Sequence, residues 1–195
     1  MGIKLEATCW NVKELESFKR KLREPILITA GYSNVGKSSF INVLTRSKVA
    51  YVAKKPGKTV SLNLYTCRKG CIVDLPGYGF AKVSRREAVR FSELVERFLN
   101  EIKVDVAVLI VDIRRGLRDY DVFFLESWQD FSYDCIVLLN KVDKLSKSQK
   151  GNAVKKLAGD IKSITDVSVF PISAQTGEGI DKVLLYLKER VSFEV

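Results

Sequence analysis

The feature that most constrains the fold is a glycine-rich segment, GYSNVGKS, at residues 31–38. It follows an apolar run at residues 26–30 and precedes an apolar helical pattern, so it matches GxxxxGK[ST] in a strand–loop–helix context. Such a loop wraps so that successive backbone N–H groups point at one place, where the start of the helix adds partial positive charge. The segment therefore predicts a phosphate-binding loop, with an ordinary strand-to-helix turn as the alternative.

Two side chains at the start of this helix, with one acid further along the chain, predict how phosphate and metal would be bound. Lys37 can reach the β and γ phosphates as a point charge, and the Ser38 hydroxyl can fill one position of a Mg²⁺ shell. Asp74 lies at the end of an apolar run, where a carboxylate is costly unless a cation or donor meets it. We therefore expect Asp74 and Ser38 to share one Mg²⁺. The nucleotide-binding residues expected in the loop are Asn34, Val35, Gly36, Lys37, Ser38 and Ser39.

A second motif, NKVD at residues 140–143, ends an apolar run and so lies at the carboxyl edge of the sheet, where ligands of open α/β folds bind. The Asp143 carboxylate can accept hydrogen bonds from N1–H and the exocyclic amine of guanine, whereas adenine would leave it unpaired at a cost of ~1–3 kcal/mol or more. In SAQTGEG, residues 173–179, the Ala174 N–H can meet the guanine O6. Solvated charges at a strand end and an ordinary polar turn are the alternatives for these two segments. The guanine-binding residues expected are Asn140, Lys141, Asp143, Ser173 and Ala174.

Apolar strand-like runs alternate with amphipathic helical stretches along the chain, which is the pattern of an open α/β sheet covered on both faces. A short basic helix precedes the first run, and a longer helix opens with a capping box made by Ser84 and Glu87. We expect this longer helix to bury one stripe of side chains, namely Ala88, Phe91, Val95, Phe98 and Ile102. The predicted strands are 26–30, 61–67, 71–75, 104–113, 134–140 and 167–173.

The net charge of +10, from 33 basic and 23 acidic residues, indicates a polyanionic partner such as nucleic acid. Lysines cluster at two places, within residues 47–60 and within residues 141–162, although a solvated helix face is the alternative for such runs. The longest apolar run, residues 106–111, is too short to span a bilayer, and the first ten residues lack the apolar core of a signal peptide. We therefore expect a cytoplasmic location and no membrane partner.

The chain has four cysteines and no histidine, which argues against a zinc site and against histidine-based acid–base catalysis. Cys67 and Cys71 flank a predicted hairpin turn, and we expect all four cysteines to be free thiols in a reducing compartment. Any reaction must therefore depend on positioning, metal ions and carboxylates.

Five segments together resemble the EngB (YsxC/YihA) family of Era-like GTPases. They are SNVGKSS, PGKT, DLPGYGFAKV, LIVDIRRGLRDYD and KVDKL, of which DLPGYGFAKV at residues 74–83 is the most specific. The resemblance implies an α/β, Ras-like P-loop GTPase fold, with a mostly parallel six-stranded sheet, one antiparallel edge strand and helices on both faces. From the short basic helix that ends at Pro25, we expect an N-terminal extension at residues 1–24, packed on a GTPase (G) domain at residues 25–195.

The resemblance also implies roles for residues outside the two motifs. Residues 47–60 would form the switch I loop, in which Thr59 completes the Mg²⁺ shell, and Gly77 would touch the γ-phosphate from switch II. The implied function is a GTP-binding and slowly GTP-hydrolysing switch in large ribosomal subunit assembly, with GTP or GDP and ribosomal RNA or a large-subunit precursor as partners. The alternatives are an Era-like GTPase with another RNA-linked role and a nucleotide-binding module with negligible turnover. We expect a monomer that binds no DNA.

The residue after Gly77 bears on the rate of hydrolysis. Ras-type GTPases place a glutamine there to orient the attacking water, whereas this chain has Tyr78, whose ring cannot act in the same way. We therefore expect slow hydrolysis, with Lys37, Thr59, Gly77 and Asn34 as the catalytic residues. Asn34 occupies the position where some Era-like GTPases hold potassium, so a K⁺ ion beside Mg²⁺ is a hypothesis, and the alternative is that Asn34 only hydrogen-bonds the loop. Beyond a structural ion pair at a strand end, no role is predicted for Asp112, Arg114 and Asp121.

Overall fold

The structure is a computed structural model that describes residues 3–51, 61–79, 84–128 and 134–195. Within these ranges the strands are β1 (Lys4–Cys9), β2 (Ile26–Ala30), β3 (Leu62–Thr66), β4 (Cys71–Asp74), β5 (Val106–Asp112), β6 (Asp134–Asn140) and β7 (Ser168–Pro171). The α-helices are α1 (Leu15–Lys19), α2 (Lys37–Leu44), α3 (Arg85–Glu101), α4 (Asp119–Trp128), α5 (Lys147–Lys162) and α6 (Ile180–Val191).

The strands form one sheet in the order β1-β3-β4-β2-β5-β6-β7. The five strands from β4 to β7 pair in parallel, and β3 runs antiparallel to both β4 and β1. The predicted mostly parallel sheet is confirmed, and all six predicted strands are present. The sheet nevertheless has seven strands in the described residues, because Lys4–Cys9 pairs with β3 and covers the strand that was expected at the edge. Strand β1 was not predicted because its sequence has no continuous apolar run. Its residues are exposed or half-buried, and only Cys9 at its end is buried.

Side chains alternate between the two faces of the sheet and build one core on each face. Every residue of β2 and of β5 is buried, as expected for parallel strands that helices cover on both sides. The buried residues of α1, α3, α4 and α5 join one core cluster, and those of α2 and α6 join the other. The prediction of helices on both faces is therefore confirmed. None of the helices within the described residues combines the length and apolar character needed to cross a membrane.

Helix α3 shows how far periodicity alone can predict burial. Its capping box is present, because Ser84 and Glu87 exchange side-chain and backbone hydrogen bonds at the start of the helix. Leu94 and Phe98 are buried in the core and the predicted Val95 and Ile102 pack against it, whereas Ala88 is exposed. Phe91 is half-buried. The prediction for Ala88 was wrong because the apolar stripe indicates which side of a helix faces the core but not where the core ends.

The N-terminal segment packs on the same face as α3. Leu15 and Phe18 of α1 are buried, and the Phe18 and Phe98 rings meet edge to face with centroids 6.3 Å apart. The predicted short helix before the first buried strand is therefore present. The division into an extension at residues 1–24 and a G domain at residues 25–195 stays a prediction.

All four cysteines are buried and free, as predicted. Cys67 and Cys71 flank one hairpin turn, and burial raises the pKa of Cys67 to about 12 and that of Cys71 to about 11. Both therefore remain protonated thiols at neutral pH and pack as small apolar side chains.

Candidate nucleotide-binding site

The predicted site residues gather at one edge of the sheet. Strands β2, β4, β5 and β6 are parallel, so the loop after β2, Asp74 at the end of β4 and Asn140 at the end of β6 lie on the same side. Residues 173–174, which follow β7, reach the same edge. This arrangement is the usual ligand position of an open α/β sheet.

Two glycines allow the loop after β2 to take its shape. Gly31 and Gly36 have φ values of +137° and +108°, a region that side chains disfavour. A Cβ atom at Gly31 would lie 2.4 Å from the backbone oxygen of Ile110, and one at Gly36 would lie 2.3 Å from Nδ2 of Asn140. The loop can therefore pack against its neighbours only with glycine at these positions.

Lys37 begins α2 and places its ammonium group inside the loop. Its Nζ donates hydrogen bonds to the backbone oxygens of Gly31, at 3.0 Å, and Tyr32, at 3.4 Å. The side chain is buried, and burial lowers the pKa of Lys37 while the charge of Asp74 opposes the shift. A cation held in this way, next to the backbone amides of a helix start, is suited to phosphate.

Asp74 is a buried carboxylate whose chemistry fits a divalent cation. It accepts a hydrogen bond from Oγ1 of Thr29 at 2.6 Å, and burial raises the pKa of Asp74 while Lys37 opposes this shift. Together with the Ser38 hydroxyl in the first turn of α2, it offers the oxygen ligands that Mg²⁺ prefers. Thr59, the third predicted metal ligand, lies outside the described residues.

Asn140 joins three loops of the site through one buried amide. Its Nδ2 donates to the backbone oxygen of Val35 at 2.8 Å, and its Oδ1 accepts from the backbone N–H groups of Lys141, at 2.8 Å, and Ala174, at 2.9 Å. The N–H predicted to meet guanine is thus engaged by Asn140 in this structure. The phosphate loop, the NKVD turn and the loop after β7 are consequently held in one arrangement.

The Asp143 carboxylate is held by two neighbouring side chains. Its Oδ1 accepts from the Ser173 hydroxyl at 2.6 Å, and its Oδ2 lies 3.0 Å from Nζ of Lys144. These contacts, with the Ser173 hydrogen bond first, lower the pKa of Asp143, so the group is ionised at neutral pH. Ser173 therefore orients the carboxylate that the sequence predicts for guanine recognition.

Asp112 is a site residue to which the sequence assigned no more than an ion pair. Its carboxylate accepts hydrogen bonds from Nε and one terminal nitrogen of Arg114, at 2.9 and 2.7 Å. It also accepts one from Nζ of Lys141 at 2.8 Å. Burial would raise the pKa of Asp112, but the hydrogen bonds from Arg114 and Lys141 outweigh it and hold this pKa well below its usual range. Lys141 also donates to the backbone oxygen of Asn34 at 2.6 Å. The ion pair expected at the strand end is thus present between Asp112 and Arg114, whereas the contact with Lys141 depends on β5 and β6 being neighbours in the sheet.

The segment after Asp74 lies directly on the phosphate loop. A Cβ atom at Gly77 would be 2.6 Å from Nζ of Lys37 and 2.8 Å from the backbone nitrogen of Ser33. The Ser33 N–H also donates to the backbone oxygen of Tyr78 at 3.0 Å. Gly77 is thus next to the predicted γ-phosphate position, while residues 80–83 of the same motif lie outside the described residues.

The arrangement defines a class of protein. A phosphate loop at the start of α2, a buried acid at the end of β4 and NKVD at the end of β6 share one edge of a mostly parallel sheet, which is the architecture of a P-loop GTPase. The profile of a family described as 50S ribosome-binding GTPase matches residues 26–141. Together with the relatives described next, this match shows that the chain belongs to the EngB family of GTP-binding GTPases, as the resemblance predicted.

Curated relatives match most of the chain. It is 38% identical over 156 residues to the probable GTP-binding protein EngB of Thermotoga petrophila, covering 79% of this chain and 80% of the relative. It is 39% identical over 160 residues to the protein of the same name from Bacillus thuringiensis, covering 80% of each chain.

Solved structures show the same fold. The crystal structure of a probable GTP-binding protein engB aligns with a TM-score of 0.70 and 29% identity, covering 86% of this chain and 98% of that chain. Era in complex with MgGDPNP and nucleotides 1506–1542 of 16S ribosomal RNA aligns with a TM-score of 0.66 and 25% identity, covering 87% of this chain and 57% of that chain.

Proposed function

We propose that the protein is a cytoplasmic, Mg²⁺-dependent switch that binds GTP or GDP, hydrolyses GTP slowly and acts in assembly of the large ribosomal subunit. The observation that carries the nucleotide part is the Asn140 amide, which holds the phosphate loop and both base-binding turns together. The description of the family as 50S ribosome-binding supports the ribosomal part. The related Era structure, which contains a magnesium nucleotide and 16S ribosomal RNA, supports the nucleotide part and an RNA partner in general.

Each predicted site residue has one task in this proposal. Lys37 and the backbone amides of residues 34–39 bind the phosphates, while Asp74, Ser38 and Thr59 hold the metal. Bound Mg²⁺ would neutralise charge on the β and γ phosphates. Gly77 contacts the γ-phosphate. The base is bound by Asn140, Lys141, Asp143, Ser173 and Ala174.

Co-sedimentation with ribosomal particles tests the ribosomal role. We expect the protein to enrich on large-subunit material in one nucleotide state when GTP, GDP and a non-hydrolysable GTP analogue are compared. Enrichment on small-subunit particles would instead favour another RNA-linked role, as in the Era complex. Nucleotide binding with no measurable phosphate release would favour a binding module without turnover.

The α5 region predicts that association with ribosomal RNA is electrostatic. Lys155 and Lys156 are exposed on this helix, and the predicted lysine cluster continues through other exposed lysines, namely Lys144, Lys147 and Lys162. Each phosphate contact contributes a slope of about −0.7 to −0.9 to the log–log dependence of affinity on salt. We expect the double substitution Lys155→Glu and Lys156→Glu to weaken binding of ribosomal particles and to reduce this slope by about one to two units.

The matched control reverses two exposed lysines of α6, Lys182 and Lys188, which lie on the helix that covers the opposite face of the sheet. It changes the net charge by the same amount. If both double variants weaken the affinity for ribosomal particles equally, the effect comes from net charge and not from α5. If the affinity of the wild type does not change between low and physiological salt, phosphate binding is contradicted.

Asn34 provides a test of the potassium hypothesis. It is exposed, with a φ of +66°, so Asn34→Gly removes the side-chain amide without the backbone strain that alanine would add. One preorganised electrostatic partner at a reacting centre changes kcat by about 10²–10³. If Asn34 helps to hold K⁺, we expect GTP turnover at least about tenfold faster in KCl than in NaCl for the wild type. This difference should disappear in Asn34→Gly but persist in Asn152→Gly, a change in α5.

Equal turnover in the two salts for the wild type would rule out potassium. A potassium effect that survives in Asn34→Gly would leave Asn34 with a purely structural role in the loop.

A further inference from the structure

A cluster of five side chains connects the phosphate loop, switch II and the start of α4. We call Tyr32, Tyr78, Tyr120, Arg118 and Asp121 the tyrosine cluster. The Tyr32 ring meets the Tyr78 ring at 4.7 Å and the Tyr120 ring at 5.9 Å between centroids, both edge to face. The guanidinium carbon of Arg118 lies 3.2 Å from the centre of the Tyr32 ring, a cation–π contact. These residues come from three segments that are distant in sequence.

A buried carboxylate fixes the central tyrosine. Asp121 is 1% exposed, and its Oδ1 accepts from the Tyr78 hydroxyl at 3.1 Å, while its Oδ2 accepts from the Arg118 backbone N–H at 3.2 Å. Burial raises the pKa of Asp121 to about 6, and burial also raises the pKa of Tyr78, which therefore remains a hydrogen-bond donor. The Tyr78 hydroxyl thus donates its hydrogen bond to Asp121, on the side of α4.

The backbone of Tyr78 is hydrogen-bonded to the phosphate loop, so the contact with Asp121 also constrains that loop. Its oxygen accepts from the Ser33 N–H at 3.0 Å, in a parallel bridge between Tyr32 and Tyr78. Gly77, the preceding residue, packs against Lys37 and Ser33 so closely that a Cβ atom would clash with both. The backbone next to Tyr78 is therefore fixed against Lys37 and Ser33 of the phosphate loop.

We propose that Asp121 is a positioning residue of the GTPase reaction, which acts through the Tyr78 hydroxyl to hold Gly77 over the phosphate loop. The inference rests on the proposed GTP hydrolysis and adds a residue from α4 that touches neither nucleotide nor metal. It also gives Tyr78 a task at the position where Ras-type GTPases place glutamine. Tyr78 anchors switch II, and it leaves orientation of the attacking water to other groups.

The test compares five variants with the wild type in single-turnover GTP hydrolysis. Tyr78→Phe removes the hydroxyl and keeps the ring, whereas Asp121→Leu removes the acceptor and keeps a similar volume. A misplacement of reacting groups by ~1 Å can lower a rate by ~100-fold, so we expect both variants to lower kcat by about ten- to a hundredfold. GDP affinity should stay within about twofold, because the phosphate loop and the base site are unchanged. The double variant should be no slower than either single variant, because both remove the same link.

Two further variants separate positioning from folding. Asp121→Asn keeps one oxygen that can accept from Tyr78 but loses the acceptor for the Arg118 N–H, so it should retain more of the rate than Asp121→Leu. Tyr120→Phe removes a hydroxyl from an exposed member of the same cluster and should leave kcat unchanged. A kcat of Tyr78→Phe equal to or above that of the wild type would overturn the inference. A decrease in kcat that is accompanied by a matching loss of GDP affinity or a lower Tm in the same variant would overturn it too. A wild type that binds GTP without hydrolysing it would overturn the proposed GTPase function as well.

Discussion

Lys37→Ala is expected to abolish GTP binding. The Lys37 ammonium group is buried among loop carbonyl groups, and without it the phosphates would meet those carbonyls and the Asp74 carboxylate. Hydrogen bonds to charged groups contribute about 1.5–3 kcal/mol each, so losing contacts to two phosphates should weaken binding by at least about a hundredfold. Equilibrium titration with a fluorescent GTP analogue in the presence of Mg²⁺ measures the loss.

The matched control is Lys182→Ala, which removes an exposed lysine from α6. It should bind GTP as the wild type does. Circular dichroism should show that Lys37→Ala is folded, since burial lowers the pKa of Lys37 and its positive charge is therefore costly to keep inside the protein. A folded Lys37→Ala protein with unchanged GTP affinity would refute the assignment of the phosphate loop.

Asp143→Asn is expected to change the base that the protein prefers. The Ser173 hydroxyl holds the Asp143 carboxylate in place, and an ionised carboxylate accepts from the two donors of guanine. The introduced amide can donate to the C2 oxygen of xanthine but no longer accepts at both positions. Because a site built around such a polar pair rejects a mismatched ligand by up to about 10⁴–10⁵, we expect at least a hundredfold loss of GTP affinity and a gain in XTP affinity.

Competition between GTP, XTP and ATP for one fluorescent analogue gives all the affinities in one experiment. Asp160→Asn, the same change at an exposed position of α5, is the control and should preserve the preference for GTP. Loss of GTP affinity without any gain for XTP would indicate damage to the NKVD turn, and an unchanged preference would contradict base recognition by Asp143.

The sequence predicted the fold and the parts of the site that depend on local context. A glycine loop between a strand and a helix, an acid at a strand end and the NKVD turn each follow from residues close together in the chain. The roles of Asp112 and Asp121 were not predicted because they depend on which strands are neighbours and on how α4 packs. Asp112 meets Lys141 across adjacent strands, and Asp121 meets Tyr78 across 43 positions.

Strand β1 and the hydrogen bond from the Ala174 N–H to Asn140 were not predicted, for two different reasons. An edge strand that is exposed on one side carries little apolar signal, so β1 could not be distinguished from a loop. Ala174 was expected to meet guanine, whereas the hydrogen bond of its N–H to Asn140 depends on a side-chain rotamer that no spacing encodes. Its contact with guanine stays a prediction, as do the other ligand contacts.

The additional strand β1 constrains the hairpin formed by β3 and β4. Strand β3 is hydrogen-bonded to β1 on one side and to β4 on the other, and the β1 ladder has a register shift between Leu5 and Ala7. Sliding β3 by one residue would turn the buried Leu62 and Leu64 away from the core and break both ladders at once. The β3–β4 hairpin is therefore held in one register from both sides, by the β1 ladder and by the core contacts of Leu62 and Leu64.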